Sequence, residues 1–354
     1  MNYVGGNKLE ARVKLLFFGC LIGVYLVILA GGTVRAMGAG MGCPDWPLCF
    51  GQVFPPTSFE DLPINWKDFL HGKGLENPQF NPLHTWIEYI NRLLGALLGL
   101  GMLFLVISTS LIRKKRPEIF FCALAAFFAV CFNGWLGSRV VASDLRPIMV
   151  SLHMLGAFVV QIFLILGLCK LNSGNLLKNG NVNSNKKLTI FVLVSLLLLI
   201  VQIGMGIQIR ESVDWIIKTS EGVLRADLLN LVPWIFYVHR SFSWVIFGIS
   251  GIMVYQIFFS NKDLKKKNIS VWDLRFFTSK NLIGTLSIIY FLLVILQMLI
   301  GGALNHLGFP EVAQPIHLLV ANLLFGVLCF MLFELYNFKS IRKEIKMKPL
   351  VVEA

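Results

Sequence analysis

The chain has 354 residues, 56% of them hydrophobic and only 14% charged, with a formal net charge of +13. A soluble globular chain carries about 25% charged residues, and 29 phenylalanines exclude a disordered or fibrous chain. A mean hydropathy of +0.71 selects a membrane domain, and a basic chain implies a nucleic-acid partner only where its charge forms one exposed face.

Eight stretches of at least 18 residues lack Asp, Glu, Lys and Arg: 15–34, 93–112, 119–138, 147–169, 188–209, 241–261, 281–310 and 312–333. Each is long enough to cross ~30 Å of hydrocarbon as a helix. None alternates apolar and polar residues as a barrel strand does. The predicted class is therefore an all-α integral membrane protein with eight transmembrane helices.

The first element, 1–14, is basic. The run after it has no small-residue cleavage site, so it is expected to be a retained span rather than a removed signal. Segments 1–14, 113–118, 170–187, 262–280 and 334–354 together hold 22 Lys/Arg against 7 acids. The remaining segments 35–92, 139–146, 210–240 and residue 311 hold 10 against 12. The charge is thus a topology signal, and the positive-inside rule predicts both termini in the cytoplasm. No nucleic-acid partner is expected.

Five cysteines, Cys20, Cys122, Cys131, Cys169 and Cys329, fall in spans and read as small buried apolar residues. Cys43 and Cys49 instead close Cys43-Pro-Asp-Trp-Pro-Leu-Cys49 in the first outer loop, where a disulfide staple is permitted.

The two halves repeat each other. Gly31-Gly32-Thr33-Val34-Arg35 ends span 1 and Gly206-Ile207-Gln208-Ile209-Arg210 ends span 5. Asn91-Arg92 precedes span 2 as His239-Arg240 precedes span 6, and Gly137 stands before His153 as Gly301 stands before His317. The expected organisation is two pseudo-symmetric four-helix bundles. Residues 1–170 form the first, with a long outer loop at 36–86, and 188–338 the second. A cytoplasmic linker at 171–187 joins them, and a basic tail follows at 339–354. Four spans is an even number, so both bundles present equivalent sites on the same outer side. The outer loop of the first is the longer and is expected to fold as a cap.

His153, His239 and His317 lie at repeat-related positions, each near the outer end of its span. Burying an ionisable residue in a span is costly and marks function, and histidines on facing helices of a bundle suit axial ligation of haem iron. Small residues nearby, including Gly156, Ser243 and Ala321, and Gly95 and Gly99 after Asn91, admit a flat macrocycle or merely close helix packing. Arg35, Arg139 and Arg210, at outer helix ends, meet either haem propionates or lipid headgroups. His84 lies seven residues before Asn91 and can face the same site; His71 reads as solvated and His306 as interfacial.

Together these residues resemble the haem A synthase family. The resemblance rests on Gly31–Arg35, the loop Gly42-Cys43-Pro44-Asp45-Trp46-Pro47-Leu48-Cys49, Pro55-Pro56, Glu88-x-x-Asn91-Arg92, His153, His239-Arg240 and His317, and covers nearly the whole chain. It implies a b-type haem cofactor between His239 and His317, with Arg210 and Arg240 as propionate candidates. It also implies that the first half binds haem O, with iron at His153, and oxidises a ring methyl through an alcohol to the formyl group of haem A. Glu88 is the implied catalytic carboxylate, on the helix face of Asn91; its other reading is an ion pair with Arg92. The implied partners are haem O synthase, cytochrome oxidase assembly and membrane lipid, in a bacterial cytoplasmic membrane with the active side outward. Where the family usually has a first-half histidine, this chain has Asn91, a poor iron ligand. The competing classes are a diheme b-type electron-transfer cytochrome and a transporter.

Overall fold

A computed structural model of the chain describes residues 3–70, 80–176, 186–219, 231–260 and 282–347. It contains eight helices long and apolar enough to span a membrane. In chain order these are α1 (Tyr3–Ala36), α2 (Pro82–Ser110), α3 (Pro117–Ala142), α4 (Pro147–Leu176), α5 (Lys186–Thr219), α6 (Ile235–Ser260), α7 (Leu282–His306) and α8 (Ala313–Met347). Among the described residues there is no strand, only a single bridge between Cys49 and Gln52.

Every expected span lies on one of these helices, but several helices outrun it. A charge-free run measures the hydrocarbon thickness, whereas a helix satisfies its own backbone and continues into the headgroup region. α2 starts at Pro82, eleven residues before its charge-free run, so the end of the expected 36–86 loop is helical. The Asn81 side chain accepts from the His84 backbone N–H at 3.2 Å and Pro82 occupies the first turn, both favoured helix starts. That early start places His84, Glu88, Asn91 and Arg92 on one helix. α7 ends earlier than expected, at His306, with Gly308 at φ 66° and Phe309 at φ 54° reversing the chain before Pro310.

The residues cluster into two compact units. One holds α1 to α3, α4 up to Leu164, and Gly302–Asn322. The other holds α4 from Ile165, α5, α6, α7 through Gly301, and α8 from Leu323. In the first, α1 packs along α2 through small residues. A Cβ on Gly23 would lie 3.1 Å from the Leu98 side chain, and one on Gly101 3.7 Å from Cys20 Sγ. α1 also lies against the start of α8, where a Cβ on Gly32 would approach Pro315 Cα to 3.1 Å. Small residues permit this closeness where lipid supplies no hydrophobic drive. Gln161 Nε2 donates to Asn322 Oδ1 at 2.8 Å, a buried interhelical bond of the kind that joins spans. In the second unit, α5 packs on α6, and Phe247 of α6 stacks on Phe291 of α7 at 5.4 Å.

Cys20, Cys122, Cys169 and Cys329 are buried, as expected of small apolar residues. Cys131 departs from that reading: it lies on the exposed face of α3, beside the outward-facing Phe128 and Phe132.

The described part of the loop between α1 and α2, residues 37–70, is folded. Cys43 and Cys49 are bonded and fully buried together with Phe50 and Trp66; Leu62, Phe69, Phe80 and Tyr89 pack around them. Asp45 organises the turn by accepting from the Phe50 and Gly51 N–H groups at 2.6 and 2.9 Å. These bonds hold both residues at positive φ (54° and 73°), a region that glycine alone enters freely. Asp61 ties the next turn, accepting from the Thr57 hydroxyl at 2.6 Å and from the Thr57 and Ser58 N–H groups at 3.0 and 2.9 Å.

Those bonds hold the Asp61 carboxyl below its ordinary value, with the Thr57 hydroxyl as the largest cause. A depressed native value means that the turn's stabilisation is complete above the ordinary carboxylate range and fades as pH falls through the native value. Hydrogen exchange at the Thr57 and Ser58 amides, corrected for intrinsic rates, will therefore speed up on acidification below that range. In Asp61→Asn the corrected rate will no longer depend on pH.

Candidate functional site

The candidate residues lie near helix ends. Glu88 and Arg92 stand one turn apart on α2 and pair at 2.5 Å, with side chains 5% and 14% exposed. The second Glu88 oxygen, Oε2, accepts from the Cys43 N–H at 2.8 Å. Arg92 Nη2 donates to the Cys43 carbonyl at 2.6 Å, and Nη1 donates to the Asp45 and Leu48 carbonyls at 2.6 and 2.9 Å. Thr85 adds a hydroxyl donation to the Gly42 carbonyl at 2.9 Å. The disulfide loop is thus fastened to α2 over two turns by a buried ion pair that also bonds the loop backbone. Gly42 makes the approach possible, because a Cβ there would sit 2.5 Å from the His84 carbonyl oxygen.

Below this clamp, Asn91 faces α1. Its Oδ1 is buried without a hydrogen-bond partner, and a Cβ on Gly31 would meet it at 3.6 Å. One and two turns further along, Cβ positions on Gly95 and Gly99 would meet nothing within 4 Å. α2 therefore has open space beside Gly95 and Gly99, on the helix side that carries Glu88 and Arg92.

His153, near the start of α4, has its ring packed on α3, where a Cβ on Gly137 would lie 3.2 Å from Cε1. Its Nδ1 is 3.0 Å from the Asn133 carbonyl oxygen. A carbonyl only accepts, so Nδ1 carries the proton and Nε2 keeps its lone pair, the arrangement typical of a metal-ligating histidine. Arg35, in the last turn of α1, donates from Nη1 to Met154 Sδ at 3.1 Å, which brings it beside the turn that carries His153.

His239 is held similarly. Its ring lies over Gly206 of α5, whose Cβ would be 3.4 Å from Cε1, and its carbonyl accepts from Gln202 Nε2 at 2.9 Å. Its Nδ1 is buried with no hydrogen-bond partner. A half-buried ring on a glycine, with an unanswered nitrogen, fits the donor set expected of a haem ligand. His317 is half-buried in the second turn of α8, two residues after the buried Pro315 that rests on Gly32.

The arginines separate. Arg35 reaches α4, whereas Arg139 is exposed. Arg210 pairs with Asp214 at 2.7 Å, and the exposed Arg240 lies over the Tyr237 ring at 5.5 Å. His84 is half-buried in the first turn of α2, about 10 Å along the helix from Asn91. His306 is exposed, as expected, and His71 lies outside the described residues. No group of three or more His, Cys, Asp or Glu among the described residues is placed to hold a metal ion without a macrocycle.

A family model described as "Cytochrome oxidase assembly protein", COX15-CtaA, matches residues 14–329. The chain belongs to this family. Among curated relatives named heme A synthase, that of Shewanella oneidensis is 34% identical over 199 residues, 55% of this chain and 54% of the relative. That of Shouchella clausii is 30% identical over 133 residues, 37% of this chain and 36% of the relative. That of Rickettsia prowazekii is 25% identical over 356 residues, covering 91% of this chain and 97% of the relative. The match thus spans about half of the first relative and nearly all of the third.

Sequence reasoning missed the roles of Thr85, Asn133 and Gln202. A signal for two of them is present: Asn133 and Gln202 each stand four residues before the glycine on which a histidine ring rests, one turn away on the same helix face. The Glu88–Arg92 pair also serves the loop backbone, which its place in the sequence did not reveal.

Removing one partner of a buried ion pair costs about 3–5 kcal/mol. Arg92→Ala is expected to lower stability on that scale and to speed reduction of Cys43–Cys49 by dithiothreitol. Gly42→Ala will speed it too, because the loop must lift from α2. Thermal unfolding and a thiol-labelling time course check both outcomes.

Proposed function

We propose that the protein is an integral-membrane oxidoreductase that converts haem O to haem A, oxidising a ring methyl through an alcohol to the formyl group. The observation that carries this reading is His153, whose Nδ1–H is committed to the Asn133 carbonyl at 3.0 Å, so that Nε2 is presented as a ligand for the iron of a haem substrate. Family membership and the relatives' names support the same reaction.

His153 fixes the substrate iron, and the open side of α2 at Gly95 and Gly99 accommodates the macrocycle. Asn91, a poor ligand, orients rather than coordinates. Arg35, beside Met154, answers a propionate; Arg139 is the second candidate, and His84 lines the outer edge. Glu88 is the catalytic carboxylate. Its ion pair with Arg92, the other role open to it, does not exhaust it, since a carboxylate offers about four lone-pair positions. It accepts a proton at an oxygen held in place by Arg92 and Cys43, while the folded loop excludes water. His239 and His317 would hold the iron of a b-type haem, with Arg210 and Arg240 as candidate contacts for its propionates. When bound, this haem supplies one-electron redox chemistry.

The two halves are read as pseudo-symmetric four-helix bundles, 1–170 with the substrate site and 188–338 with the cofactor site. The 171–187 linker, the 339–354 tail and both termini are cytoplasmic, and the active side faces outward from a bacterial cytoplasmic membrane. Haem O synthase and the cytochrome oxidase assembly machinery are the partners that would supply the substrate and consume the product.

The test is expression in a host that makes haem O, followed by mass analysis of the extracted haems. Haem A or the hydroxylated intermediate is expected; bound haem without either product indicates an electron-transfer cytochrome instead. Glu88→Gln should abolish product while haem stays bound. His239→Ala and His317→Ala should each remove a low-spin haem signal and leave the haem bound at His153; equal loss of both haems overturns the two-site assignment.

A further inference from the structure

A cavity of about 660 Å³ opens where the start of α1 meets the end of α2, between the basic segments 1–14 and 113–118. Ser110, Arg113, Lys114 and Lys115 line its polar side, and Leu9 and Leu111 its apolar side. Arg113, Lys114 and Lys115 are exposed and form no ion pair among the described residues. The one acid at the rim, Glu10, faces Arg116 at 3.7 Å, which in turn binds Glu118 at 2.7 Å. The cavity therefore keeps three uncompensated cations, against roughly half a negative charge from the carbonyl end of α2. They lie at the hydrocarbon boundary, since the charge-free run of α2 ends at residue 112, and lipid phosphates occupy that depth.

A second feature starts at the same place. Leu100, Phe104, Ile107 and Leu111 are 63, 57, 55 and 72% exposed. Spaced by four, three and four, they form one row down α2 from the cavity into the span. Inorganic phosphate has no use for such a row, whereas an acyl chain attached to the phosphate lies along it.

We propose that this cavity binds the phosphate of an anionic phospholipid headgroup, with an acyl chain along the Leu100–Leu111 row. Basic pockets between spans on the positively charged side of a membrane protein are suited to such headgroups. The site lies at the opposite end of α2 from the Glu88 clamp, and its occupancy is independent of the haem chemistry above.

The full-length protein, purified from a nanodisc containing equal phosphatidylglycerol and phosphatidylcholine, is examined by native mass spectrometry. Phosphatidylglycerol should be retained at least tenfold over phosphatidylcholine. Each cation near an anionic surface is worth roughly a fivefold change in binding, so R113Q/K114Q/K115Q should abolish the preference. R113K/K114R/K115R should keep it. Ser110→Phe, which fills the cavity without touching the charges, should remove the bound lipid at unchanged thermal stability. Equal retention of the two lipids, or a preference that survives both the triple Gln variant and Ser110→Phe, overturns the proposal. Displacement of the lipid by millimolar inorganic phosphate overturns it too, by assigning the cavity to a free anion.

Discussion

The disulfide loop and the helix beneath it depend on one buried ion pair. Glu88 and Arg92 would be expensive to remove from water as isolated charges, and their mutual attraction alone does not repay that cost. Here each is answered further: the carboxylate by the Cys43 N–H, the guanidinium by three carbonyls of the 43–48 segment. The loop backbone gains in turn, because carbonyls closed into a tight disulfide turn would otherwise lack donors. Satisfying the pair and folding the loop are therefore one event, and Gly42 is the residue that lets the two surfaces touch. The open side of α2 lies below the result.

His153 and His239 are each held by a related device. A glycine on the preceding helix receives the ring, and a backbone bond sets its position: Gly137 and the Asn133 carbonyl for His153, Gly206 and Gln202 for His239. The glycine removes the side chain that would push the ring away, and the backbone bond fixes either the tautomer or the helix register. At Asn91 the glycine contact with Gly31 persists, while the residue four positions before it is Val27 and offers no polar partner. Asn91 thus also lacks the polar residue that stands four positions before the glycine at His153 and His239.

Much of this was legible in the chain. The eight spans follow from charge-free length, the loop staple from Cys43 and Cys49, and the site candidates from histidines repeated in register. Helix ends were not legible, because charge-free length reports hydrocarbon thickness and α2 continues outward through Arg92, Glu88 and His84. Nor was the outward face of Cys131, since residue type alone does not tell a lipid-facing position from a buried one.

By itself the sequence determined that the chain is helical, that it crosses a membrane repeatedly, and that its polar chemistry gathers at the ends of spans. These follow from local hydropathy and charge. Only the tertiary structure decided what Glu88 and Arg92 bind, which nitrogen of His153 is engaged by the Asn133 carbonyl, and where glycine is obligatory. Those outcomes rest on contacts from side chains to backbone atoms distant in the sequence, as from Arg92 to Cys43 and Asp45 or from His153 to Asn133, and every residue type presents the same carbonyl. No pattern of side chains along the chain encodes which carbonyl a guanidinium will meet.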